Sequence, residues 1–130
     1  MQIQLFWDES ISNVIHYRFQ QGWTWEDFRQ TALEEHRQGE ALAGIRYDII
    51  ADLHQATIPS GTGFTNVVRL FDQGPKNRVM IVVVGSPLAR AMIQIGVKLY
   101  PQVKNRFHAV TTIEDARQLI VKMRSESHHF

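Results

Sequence analysis

The chain has 130 residues, 44% hydrophobic and 21% charged, and its 14 Lys+Arg nearly balance 13 Asp+Glu for a formal net charge of +1. That length suits one domain around one core, and the absence of cysteine excludes disulfides, thiolate zinc sites and cysteine nucleophiles. No apolar run approaches the ~20 residues that span a bilayer, and Met1-Gln2-Ile3-Gln4 lacks the basic and apolar regions of a signal peptide, so a cytoplasmic location without membrane insertion is expected.

Ile3, Leu5 and Trp7 alternate with Gln2, Gln4 and Phe6, as Ile15, Tyr17 and Phe19 alternate with Val14, His16 and Arg18; period two predicts two strands, joined as a hairpin by the polar stretch Asp8 to Asn13. Thr24 and Asp27 form a capping box that predicts a helix from Trp25. Its expected inner face is Trp25, Phe28, Ala32 and Leu33, with Glu26, Arg29, Gln30, Glu34 and Arg37 outside and a stop between Gly39 and Gly44. A third, largely buried strand is expected from Tyr47 to Leu53. His54 to Gly63 carries Pro59, Ser60, Gly61, Thr62 and Gly63, loop chemistry that ends at a second helix N-terminus. Phe64, Val67, Val68 and Phe71 have helical spacing, and Gly74-Pro75 stops that helix.

Val79 to Val84 is six apolar residues in a row, which predicts a central strand covered on both faces. Ser86 as N-cap and Pro87 at the first helical position open a third helix. It carries Leu88, Met92, Ile95 and Leu99 on one stripe and Ala89, Ile93, Val97 and Tyr100 on the next, leaving Arg90, Gln94 and Lys98 polar. A face that broad exceeds what a small domain covers, so part of it is expected to serve docking or self-association. Phe107 to Val110 reads as a last strand. Thr112 and Asp115 cap a C-terminal helix whose inner face is Ile113, Ala116, Leu119, Ile120 and Met123, and 125–130 are expected to fray. The whole is one α/β domain over residues 1–130: a mixed five-stranded sheet, a β-hairpin followed by βαβ crossovers, and four helices.

The near-zero charge is a cancellation. Residues 1–58 hold nine carboxylates and four Lys/Arg, residues 59–130 four and ten, and no carboxylate lies between Gln73 and Ile113. That contrast suits protein–protein docking or self-association better than nucleic-acid binding.

A hairpin, three crossovers and a final helix, with a Ser/Thr/Gly loop after the third strand, resemble the STAS domain of bacterial anti-sigma-factor antagonists across Ile3 to Met123. Tyr17-Arg18-Phe19, Gly22-Trp23-Thr24-Trp25-Glu26-Asp27-Phe28 and Asp48-Ile49-Ile50-Ala51-Asp52-Leu53 look like the divergent, mostly uncharacterised STAS-like proteins of bacteria. In typical antagonists the loop carries Asp-Ser-Ser/Thr-Gly, and a kinase-type anti-sigma factor phosphorylates the second hydroxyl residue. Here it reads Ile58-Pro59-Ser60-Gly61-Thr62-Gly63. Anchoring on Gly61 makes Ser60 the phosphoacceptor, anchoring on Gly63 makes it Thr62, and neither supplies the aspartate. The resemblance implies a non-enzymatic regulatory or interaction module acting on another protein, without cofactor or metal.

Ligands of open α/β sheets meet the protein beyond the carboxyl ends of the strands, where helix N-termini present free amides. The candidate ligand or partner contacts at that edge are Asp52, His54, Ser60, Gly61, Thr62, Gly63, Ser86 and Arg90. Together with the loop Thr57 to Gly63, the helix Leu88 to Tyr100 completes the expected interaction surface. A phosphate on Ser60 or Thr62 would place roughly −1.5 to −2 charges at a helix N-terminus; the plainer role for either hydroxyl is to cap that helix. The alternative function is a site for a lipophilic or nucleotide ligand. A hydrolase using Asp52 and His54 ranks last, because no third group completes a triad. His16, His36, His108, His128 and His129 lack zincin spacing, and Gly61-Thr62-Gly63 is neither a P-loop nor a dinucleotide fingerprint.

Overall fold

The opening hairpin turns on Asp8, whose carboxylate accepts hydrogen bonds from the Ser10 and Ile11 amides (2.8 and 2.9 Å), and on Asn13, which takes a positive φ of 59° that asparagine tolerates better than most residues. The turn pairs β1 (Ile3–Trp7) antiparallel with β2 (Val14–Phe19), Ile3 opposite Phe19. The computed structural model describes residues 2–59, 69, 73–101 and 105–126. Among them, α1 (Trp25–Glu40), β3 (Tyr47–Asp52), β4 (Arg78–Val84), α2 (Pro87–Leu99), β5 (Phe107–Val110) and α3 (Ile113–Glu126) follow in chain order. The second expected helix, Phe64 to Phe71, lies outside the described residues except for Arg69.

The five strands lie in the order β1-β2-β3-β4-β5, with β2 to β5 mutually parallel and β1 antiparallel at one edge. Successive crossovers running in one direction and of one hand place their helices on one face. Accordingly, Phe28 of α1 and Ile93 and Val97 of α2 pack with Ile15, Tyr17, Ile49 and Val83, while Ala116 and Ile120 of α3 pack with Val14, Ile50, Met80, Val82 and Val84 on the other. Among the described residues no helix is long and apolar enough to cross a membrane.

Local signals place the helix starts. The Thr24–Asp27 capping box is formed in both directions, Ser86 Oγ accepts from the Ala89 amide (3.2 Å), and Thr112 Oγ1 accepts from the Asp115 amide (3.0 Å).

Burial and element bounds depart from the sequence reading, or sharpen it, at four points. β2 is covered on both faces, with Val14 and His16 as buried as Tyr17, because α3 closes the side that alternation assigned to solvent. Leu33, expected inside, is 51% exposed; α1 instead buries Thr31, Ala32, Glu35, His36 and Gly39, a face rotated towards polar residues that find partners on the sheet. On α2 the two apolar stripes separate: Ala89 and Ile93 are buried, whereas Leu88, Met92, Ile95 and Leu99 face outwards. Finally, α3 continues through Ser125 and Glu126, part of the expected frayed tail. Its last turn is pinned by Arg124, which donates to Asp48 Oδ2 and to the Ser12 and Asn13 carbonyls, each at 2.8 Å. Residues 127–130 lie outside the described part.

Candidate functional site

At the carboxyl edge of the sheet, β3 ends on Asp52, in register with Val84 at the end of β4. The chain turns at once instead of extending, so Asp52 and His54, two apart, do meet. Asp52 Oδ1 accepts the His54 amide (3.0 Å) and is hydrogen-bonded to the His54 ring at Nδ1. Asp52 is buried and the His54 side chain half exposed, an arrangement in which a carboxylate orients an imidazole at the surface. The next strand end leads into α2 through Gly85, where a Cβ would stand 3.0 Å from the Ala89 Cβ and 3.6 Å from the Leu53 Cβ; glycine lets the helix start close against the β3 end. Arg90, one turn in, donates its amide to the Ser86 carbonyl (3.0 Å). Its buried Nε has no hydrogen-bond partner among the described residues. Asp52, His54 and Ser86 thus lie at one edge of the sheet, with Arg90 one turn into α2. Ser60, Gly61, Thr62 and Gly63 lie outside the described residues. Of the loop before them, the Thr57 carbonyl accepts from Trp23 Nε1 (2.8 Å). Among the described residues no group of three His, Asp or Glu side chains is placed to hold a metal ion.

Three buried polar clusters escaped the sequence reading. Under α1, Glu35 accepts from the hydroxyls of Tyr17 (2.9 Å) and Tyr47 (2.5 Å) and from Arg78 Nη1 (2.5 Å). Burial and then the Glu35 charge push both tyrosine hydroxyls above the usual phenol range. Under α3, Asp8 is hydrogen-bonded to His16 Nε2 (2.5 Å) and Arg117 Nε (2.9 Å), and the His16 ring stacks on Phe6 at 4.8 Å between centroids. Burial disfavours the charged Asp8, but hydrogen bonds from His16, Ser10 and Arg117 outweigh it and hold the carboxyl below the usual range. Asp48, also buried, accepts the Met80 amide (3.0 Å) and pairs with Arg46 and Arg124. Each cluster contains a pair far apart in the chain: Glu35 and Arg78 by 43 positions, Asp48 and Arg124 by 76, Asp8 and Arg117 by 109. Periodicity carries no such information; the one sequence signal is that Glu35 lies seven residues after Phe28, on its side of the helix.

Beside the Glu35 cluster, between α1, α2 and the sheet, lies a cavity of about 180 Å³. Its walls include the rings of Phe19, Trp23, Trp25 and Phe28, with Glu35, His36 and Arg78 among its polar lining. The rings set one another: Trp23 stands edge-on to Phe19 (4.7 Å) and to Trp25 (4.9 Å). Trp23 is thus a wall residue and a clamp on the Thr57 carbonyl, beyond the helix-entry contact that its place before Thr24 suggests.

No protein-family model matches the chain, and no curated protein matches it.

Proposed function

We propose that this chain is a non-enzymatic, STAS-like interaction module that docks a transient protein partner through the outer face of α2. The observation that carries the reading is the stripe of Leu88 (71% exposed), Met92, Ile95 (59%) and Leu99 (69%) along a 13-residue helix. A continuous apolar stripe on a surface is the usual mark of an interface. The helix is about 20 Å long, too short to supply alone the roughly 800 Å² per partner of a stable interface, which favours a transient partner. Arg90 and Lys98 belong to the same helix, in a stretch from Gln73 to Ile113 with no carboxylate. Two copies of α2 would bring like charges together, so the fitting partner is another protein with an apolar patch rimmed by carboxylates.

The test is a photo-crosslinking side chain at Ile95 in the producing cells, with the crosslinked peptides sequenced. The expected result is an adduct to one other protein, through an apolar peptide containing Asp or Glu, that disappears with Leu88→Lys and Leu99→Lys. Adducts only to a second copy of the chain, or none, overturn the reading.

A further inference from the structure

The cavity lies between α1, α2 and the sheet, on the inner side of α2, and shares Met92 with the docking stripe. We propose that it is a binding site for a small, uncharged aromatic ligand carrying one hydroxyl group, of the size of a phenol.

Three observations define the ligand. The first is size: about 180 Å³ slightly exceeds the roughly 150 Å³ apolar cavity known to stay dry and take up benzene. One ring with a substituent fits, whereas a nucleotide does not. The second is the wall. Phe19, Trp23, Trp25 and Phe28 already pack edge-on or stacked on one another, with Phe19 stacked on Phe28 at 6.3 Å and Trp25 edge-on to Phe28 at 6.2 Å. A further ring extends the same offset and edge-to-face contacts.

The third is polarity. Glu35 among the lining residues is matched by Arg78, so the cavity offers no uncompensated charge and burying an ionised ligand there would be costly. His36 also lines it, nine-tenths buried, and its Nε2 has no hydrogen-bond partner among the described residues. A buried ring nitrogen left without a partner is costly. Neutral imidazole either donates or accepts at that atom, and a hydroxyl answers both tautomers. Met92, partly exposed, is another lining residue, so the cavity approaches the surface beside α2.

The experiment is a ¹⁹F NMR titration of the full chain at pH 7.5 with 4-fluorophenol and fluorobenzene, which differ by the hydroxyl alone. The expected result is saturable binding of both, 4-fluorophenol about tenfold tighter, a ratio corresponding to one net hydrogen bond. His36→Leu should reduce that ratio to near one while fluorobenzene still binds. Ala32→Leu, which fills the cavity from a buried lining position, should abolish both. Should either variant not fold, intermolecular NOEs from 4-fluorophenol to the Trp23 and Phe28 rings of the unaltered protein decide. No saturable binding at millimolar ligand, equal affinity for the two probes, a ratio unchanged in folded His36→Leu, or NOEs to other residues overturns the proposal.

Discussion

Glu35 and Arg78, 43 positions apart, form an ion pair (Oε1 to Nη1, 2.5 Å) in which both side chains are almost wholly buried. Removing one member strands the other in a medium of low dielectric, which costs about 3–5 kcal/mol. Arg78→Met is therefore expected to lower the unfolding free energy by about that much in urea titrations. Tyr17→Phe removes one of several donors to Glu35, and its expected cost is about 1 kcal/mol. Equal losses for the two variants would mean that the pair is not the centre of the cluster.

Gly39 is required by the same cluster. It sits in the last turn of α1, where alanine would normally stabilise a helix by about 1 kcal/mol. A Cβ there would stand 2.1 Å from the Tyr47 hydroxyl. That ring is fully buried and its hydroxyl is held by Glu35, so it has little freedom to withdraw. Overpacking costs about 1–3 kcal/mol, and Gly39→Ala is expected to be net destabilising by about 1 kcal/mol in the same titration. Combining it with Tyr47→Phe should leave most of the loss in place, since the ring carbons Cζ and Cε1, which phenylalanine keeps, would still stand 2.3 and 2.5 Å from the added Cβ.

The described strands and all three helix starts were legible because each rests on local chemistry: alternation at Ile15-Tyr17-Phe19, the apolar run to Val84, and the caps Thr24, Ser86 and Thr112. The Asp52, His54 and Ser86 part of the edge was legible for a similar reason, since parallel strands end together. What was not legible depends on which elements meet across the fold. Leu33 and Glu35 are neighbours on one helix, yet the leucine faces outwards and the carboxylate is buried, because Tyr17, Tyr47 and Arg78 converge on Glu35 from three strands. Likewise, Asp8 reads as a turn residue until α3 brings Arg117 against it.

The Asp8 cluster makes acid stability depend on one carboxyl. Its folded pKa lies below the ordinary value of about 3.9 because His16, Ser10 and Arg117 hydrogen bonds outweigh burial. The unfolded chain takes up the proton first as pH falls. The stabilisation is thus fully present above about pH 4 and is lost as pH drops towards the folded pKa. Asp8→Asn should be less stable than the unaltered protein at pH 6, and the gap should shrink at pH 3. Urea midpoints at the two pH values provide the check; a gap that widens in acid would reverse the sign.

His36 titrates in a higher window. Burial lowers its pKa, with the nearby Glu35 charge opposing and Arg78 assisting. The unfolded chain gains this proton near pH 6.5 and the folded chain only at lower pH, so folding is favoured most while the ring is neutral in both states. The contribution is present above about pH 6.5 and is lost as pH falls through the folded pKa. His36→Leu cannot take up that proton. Its stability relative to the unaltered protein should therefore rise between pH 7.5 and pH 5, measured by urea denaturation in the absence of aromatic ligands. A constant difference across that range would mean that His36 takes up its proton equally well folded and unfolded, and that it does not meet the low-dielectric surroundings its buried place on α1 implies.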